Sequence, residues 1–219
     1  MTSAVEPPYA PYADPAANEI YNLLFCDSAA AFAAAPGTRP AVWQATLFAE
    51  PEASAALREL ADDAAQEGRV RYLAYRRLRA LGRDVPAKVL LGTIVEVGLT
   101  DGLDALAAYS DGGVRYVNHT GRIAVFEGAP SLAEHVRALF AAAAPVVARI
   151  GPWEHARRLP PAAGEVRLTF LASDGLCFGE GPMAVMQSDA MAGPIIGRAT
   201  ELLRAVVPMT GKQRHPGGA

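Results

Sequence analysis

Between residues 88 and 127 the apolar positions come in four short runs, 88–99, 103–110, 114–120 and 122–127, separated by Asp101-Gly102, Asp111-Gly112-Gly113 and Thr120-Gly121. Glycine supplies the positive φ that tight hairpin turns require, so this pattern predicts four strands folding back on one another in sequence order as an antiparallel meander. Further along, 166–170 alternates apolar and polar positions, which predicts a half-buried strand, and Ser173-Asp174-Gly175 turns the chain into another strand at 176–179.

Elsewhere the period lengthens. Residues 19–25 are ambiguous and compatible with a helix that continues through the Ala-rich stretch 28–35, whereas 42–48, bounded by Pro40 and Pro51, reads as a strand. Pro51 suits a first helical position, and Leu57, Leu60 and Ala64 follow at helical spacing. Gly68 interrupts the stripe before Val70, Leu73, Leu78 and Leu81 resume it, and Gly82 with Pro86 stops it. Ser131 and Glu134 have the spacing of a capping box, opening a helix with Leu132, Val136, Leu139, Phe140 and Ala143 on one face and Pro145 to kink or end it. Residues 151–164, with three prolines, read as a crossing loop, and 179–194 as a long irregular connection to a last helix that buries Ile195, Ile196, Ala199, Leu202, Leu203 and Val206.

Hairpins with interspersed helices, lacking regular βαβ alternation, predict an α+β domain: a mostly antiparallel sheet built on the four-stranded meander and covered by helices. In element order this resembles the profilin-like and roadblock-like sheets of bacterial sensor and adaptor proteins. The resemblance rests on topology and carries over no site residue. Residues 1–17 read as a disordered Pro-rich tail, 18–209 as the domain and 210–219 as a second tail.

Composition narrows the classes. With 219 residues, 51% of them apolar, the chain can bury a sizeable core, and a net charge of -3 gives no global pull toward nucleic acid. All basic residues except Lys88 and Lys212 are Arg, the bias of a GC-rich genome. The start of the chain lacks a secretory pattern, and the apolar run 138–148 is cut by Pro145 and falls short of the ~20 residues a bilayer needs. Cys26 and Cys177, far apart and without a CxxC pair, are expected as reduced thiols in a bacterial-type cytoplasm, so the expected location is cytoplasmic and no membrane is involved.

Candidate chemistry is sparse. Residues 69–83 carry six arginines and no acid; at about 100° per residue Arg69, Arg76, Arg79 and Arg83 share a face with Tyr72, a combination able to grip phosphate or stack on a ring. The competing reading is a solvated face whose charge is taken up by Glu59, Asp62, Asp63 and Glu67 just upstream. Arg77 falls inside the apolar arc between Leu73 and Leu81 and is expected to find a carboxylate or carbonyl partner. Met183, Met186 and Met191 in the 179–194 connection suit an adaptable contact surface, or else fill the core.

A nucleophilic team would need Cys177 with His119 as base and Asp174 or Glu180 as acid or orienter. The four histidines share no metal-ligand spacing, and no cofactor motif is present in the sequence. The expectation is a protein-interaction or adaptor module, self-associating or bound to a protein partner, acting through Met183, Met186, Met191, Arg69, Tyr72, Arg76 and Arg79. The alternatives are a small Cys/His hydrolase and a binder of a phosphate-bearing small ligand held by Arg76, Arg79 or the helix start near Gly193.

Overall fold

The computed structural model describes residues 9–50 and 54–210. One six-stranded antiparallel sheet, in the order β4-β3-β2-β1-β5-β6, forms the middle layer. Its strands are β1 (Leu90–Leu99), β2 (Gly102–Tyr109), β3 (Val114–Val117), β4 (Ile123–Phe126), β5 (Glu165–Ala172) and β6 (Gly175–Pro182). The expected meander is therefore present in sequence order, and the β5–β6 hairpin joins it along β1. The α+β class with an antiparallel sheet holds.

Helices cover both faces. On one side lie α1 (Pro15–Leu24), α2 (Val42–Leu47), α3 (Ser54–Asp62) and α4 (Gly68–Ala80), packed with Leu91, Ile94, Leu103, Ala105, Tyr109 and Leu171 of the sheet. On the other lie α5 (Ala133–Val147), α6 (Met183–Ser188) and α7 (Ala192–Thr210), packed with Val95, Leu106, Tyr116, Val166, Leu168 and Phe170. A bulge at Leu90–Gly92 shifts the alternation, so that Leu91 joins Ile94 in the first core while Leu90 packs against the second. This two-sided cover makes β5 buried on both faces, where alternation led to the expectation of a half-buried strand. Its polar positions Arg167 and Thr169 lie under the α1 side rather than in water.

Several local expectations are corrected. Residues 42–48 contain a helix, not a strand: the side chain of Gln44 returns to accept from the Ala41 N–H at 2.8 Å, which a short run between prolines permits. The 19–35 segment is not one helix, because α1 ends at Leu24 and Cys26 takes a left-handed φ of 56° before a 3₁₀ turn at Ala29–Phe32. Gly68 begins α4 instead of interrupting a helix, and Ala64 lies outside α3. No capping box forms at Ser131; a 3₁₀ turn at Pro130–Leu132 leads into α5, and the Ser131 hydroxyl points at Met209. Pro145, close to the end of α5, is carried through to Val147.

The 179–194 connection is mostly regular: β6 extends to Pro182 and α6 follows at once. Residues 9–14, expected in the tail, are seated on the fold, with Tyr12 buried and Asn18 and Asn22 of α1 holding the Tyr12 and Tyr9 backbone. Pro51 lies outside the described residues, as do 1–8 and 211–219. No described helix is long and apolar enough to cross a membrane.

Candidate functional site

A large cavity of about 1240 Å³ opens on the α1–α4 side of the sheet. Three pieces of chain form most of its wall, and Tyr9, Ala10 and Pro15 line it beside them. The first is the end of α1 and the turn after it, from Asn18 through Asn22, Phe25 and Asp27 to Phe32; the second is one side of α4, presenting Tyr72, Arg76 and Arg79. The third is the crossing segment from Pro152 to Arg157, lying against the β5–β6 turn at Asp174–Leu176.

The first wall exists because α1 stops sharply. Cys26 stands just past the helix end in the left-handed conformation that closes many helices, a position more comfortable for glycine. Its carbonyl and that of Asp27 accept from Arg76 Nη1 at 2.7 and 2.5 Å, which ties the turn to α4. Arg79 likewise donates to the carbonyl of Ser173, tying α4 to the β5–β6 turn.

The third wall hangs on Arg157, whose side chain is only 3% exposed although it belongs to an otherwise open segment. Its Nε donates to Asp27 Oδ2 at 2.8 Å, Nη1 to the Tyr21 hydroxyl at 3.0 Å and Nη2 to Asn22 Oδ1 at 3.3 Å. The guanidinium lies 3.7 Å from the centre of the Phe25 ring and 4.3 Å from that of Tyr9. The Tyr9 hydroxyl in turn donates to the Arg157 carbonyl. Nearby, the backbone N–H of Trp153 donates to the Leu176 carbonyl at 2.7 Å, and the Trp153 ring packs edge-on against Phe178 and His155.

Behind Arg157 the polar contacts run into the sheet. Tyr21 donates to Glu96 Oε1 at 2.6 Å, and Glu96 Oε2 stands 3.6 Å from Arg167, which also pairs with Glu180. Glu96, Arg167 and Glu180 face one another across β1, β5 and β6 by register. Burial pushes the Glu96 carboxyl above the usual carboxylate range, against the lowering pull of Arg167, the Tyr21 hydroxyl and Arg157. Burial, with Glu96 adding to it, likewise raises the Tyr21 phenol.

Of the residues singled out from sequence, Tyr72, Arg76 and Arg79 meet at the cleft. Tyr72 is buried there rather than exposed, and its ring lies under Arg79. Arg69 is separate and nearly buried, paired with Glu67 and set over Phe32 and Tyr109. Arg77 bonds the carbonyls of Leu47 and Ala49, the acceptors its place in the apolar arc called for. Met183 and Met186 are half-buried against the second core, across the sheet from the cleft, and Met191 lies by Arg149. The start of α7 is already capped, since Asp189 accepts from the Met191 and Ala192 N–H groups, both at 2.8 Å.

The nucleophilic team is not assembled. Cys177 is buried in the second core on edge strand β6, while His119 sits after β3 beside Asp101 and Asp104. Three strands separate β6 from β3, about 19 Å at the usual strand spacing. Asp174 pairs with Lys88, and Glu180 with Arg158 and Arg167.

Sequence reasoning missed Arg157, Tyr21, Asn22, Asp27 and Trp153. One signal was available: Glu96, a lone carboxylate in the apolar run of β1, requires a buried partner. Compared with known proteins, the chain matches no protein-family model, no curated protein and no solved structure. The likeness of element order to profilin-like and roadblock-like sheets is thus unsupported by any structural match.

Proposed function

We propose that this protein binds a small, largely apolar organic molecule in the cleft between α1, α4 and the 152–157 segment. The observation that carries the reading is the cleft itself. Its volume of about 1240 Å³ is ample for a small molecule, and its walls combine Tyr9, Phe25, Phe32, Tyr72 and Trp153 with a few placed polar groups, the composition of ligand sites. The adaptor reading loses its main support, since Met183 and Met186 are drawn against the core and the Met-bearing connection is regular structure. The hydrolase reading loses its geometry, with Cys177 and His119 on different parts of the sheet.

The test is a fluorescence titration with N-phenyl-1-naphthylamine, an uncharged dye that brightens in apolar sites. One saturable site per chain is expected, and it is lost when Ala31→Trp and Ala156→Trp, exposed positions lining the cleft, fill the cavity. Absence of saturable binding, or binding untouched by filling, would refute the reading.

A further inference from the structure

Resting on that reading, we infer that the ligand is an amphipathic anion, its carboxylate, sulfonate or phosphate group held by Arg76 and Arg79. Both residues line the cleft, and neither guanidinium has a carboxylate within 4.0 Å among the described residues. Of the other arginine and lysine side chains near the cleft, Arg157 pairs with Asp27 and Lys88 with Asp174.

The two arginines also have donors to spare. A guanidinium offers five N–H donors. Among the described residues Arg76 bonds only through Nη1, to the carbonyls of Cys26 and Asp27, and Arg79 only through Nη1, to that of Ser173. These bonds fix the heads in place and leave the Nε and Nη2 groups of each for a further acceptor. Because the residues are three apart on α4, they are neighbours on one helix surface, about 5–6 Å between Cβ atoms, and together form a single anion-binding edge.

Glu19 and Glu154 line the cleft too and have no cationic partner within 4.0 Å among the described residues. They stand on different elements, α1 and the crossing segment, and so make no comparable pair. The apolar part of the ligand would lie along Tyr72, Phe32 and Trp153, with its charge toward α4.

The experiment compares 1-anilinonaphthalene-8-sulfonate with N-phenyl-1-naphthylamine, the same skeleton without the sulfonate. A purely apolar cleft would favour the uncharged dye. The inference predicts that the sulfonate binds at least about tenfold tighter, the effect of one charge-assisted contact, at one site per chain. That preference should fade as NaCl is raised to 1 M. Arg76→Gln with Arg79→Gln should weaken the sulfonate by a larger factor than the uncharged dye and so shrink the ratio between them, while Arg198→Gln on α7 changes neither. If the double variant fails to fold, the dye ratio and its salt dependence in the unaltered protein still decide. Equal or tighter binding of the uncharged dye overturns the inference and leaves the cleft reading standing; no binding of either dye overturns both.

Discussion

Arg157→Ala is the sharpest structural perturbation available, because one side chain holds the third wall of the cleft. The substitution removes the bonds to the Tyr21 hydroxyl and the Asn22 amide oxygen, each worth about 1 kcal/mol or more with a charged donor. It also removes a desolvated guanidinium stacked on Phe25 and Tyr9, a contact of about 2 kcal/mol. The Asp27 pair adds less, roughly 0.5 kcal/mol, since that carboxylate is 40% exposed and rehydrates. The terms are not additive, and a net loss of about 3 kcal/mol is expected, a shift of about 1–2 M in the urea midpoint at typical slopes.

Arg157→Lys keeps the charge and loses the fork, so it should recover only part of that loss. A local readout accompanies the global one. With its anchor gone, the 151–164 stretch should become open to trypsin after Arg158 under conditions where the unaltered protein is spared. A loss below 1 kcal/mol with unchanged proteolysis would show that Arg157 does not hold the segment and would refute the reasoning.

Two further expectations concern buried groups. In the folded protein burial raises the Glu96 carboxyl above its unfolded value, so the native state binds the proton more tightly and loses stability as pH rises through the folded value; Glu96→Gln lacks this titration. The stability of Glu96→Gln relative to the unaltered protein should therefore increase between pH 4 and pH 8 in urea unfolding, and a flat difference would remove the assignment. Cys26 and Cys177 are buried, and burial raises both thiols, so a thiol reagent at pH 8 should label neither for minutes in the native state and both after unfolding in guanidinium. Rapid native labelling of Cys177 would return the nucleophilic reading to consideration.

The meander was legible because its turns are local: each strand pairs with the next, and glycine marks every reversal. What the sequence did not show is the second helical layer over β5, because alternation along Val166–Phe170 records side-chain polarity, and Arg167 is as buried as Leu168 once Glu96 and Glu180 neutralise it. The cleft was half legible. Tyr72, Arg76 and Arg79 are consecutive turns of one helix and can be grouped by period alone. Arg157 and Trp153 lie in a Pro-rich segment without periodicity, and their partners at Asp27, Tyr21 and Leu176 come from distant parts of the chain. The 179–194 connection misled for a related reason: its glycines read as loop, yet Gly179 and Gly181 belong to β6, where Met186 packs beside both.

The central claim is that the cleft is the ligand site, and the most direct measurement is an amide chemical-shift map of the isotope-labelled protein titrated with 1-anilinonaphthalene-8-sulfonate. The account predicts saturable shifts concentrated at residues 25–32, 72–79, 152–157 and 174–176, with the second core around α5 and α7 unmoved. Shifts centred on α6 and α7 or around His119, or scattered without saturation, would contradict it.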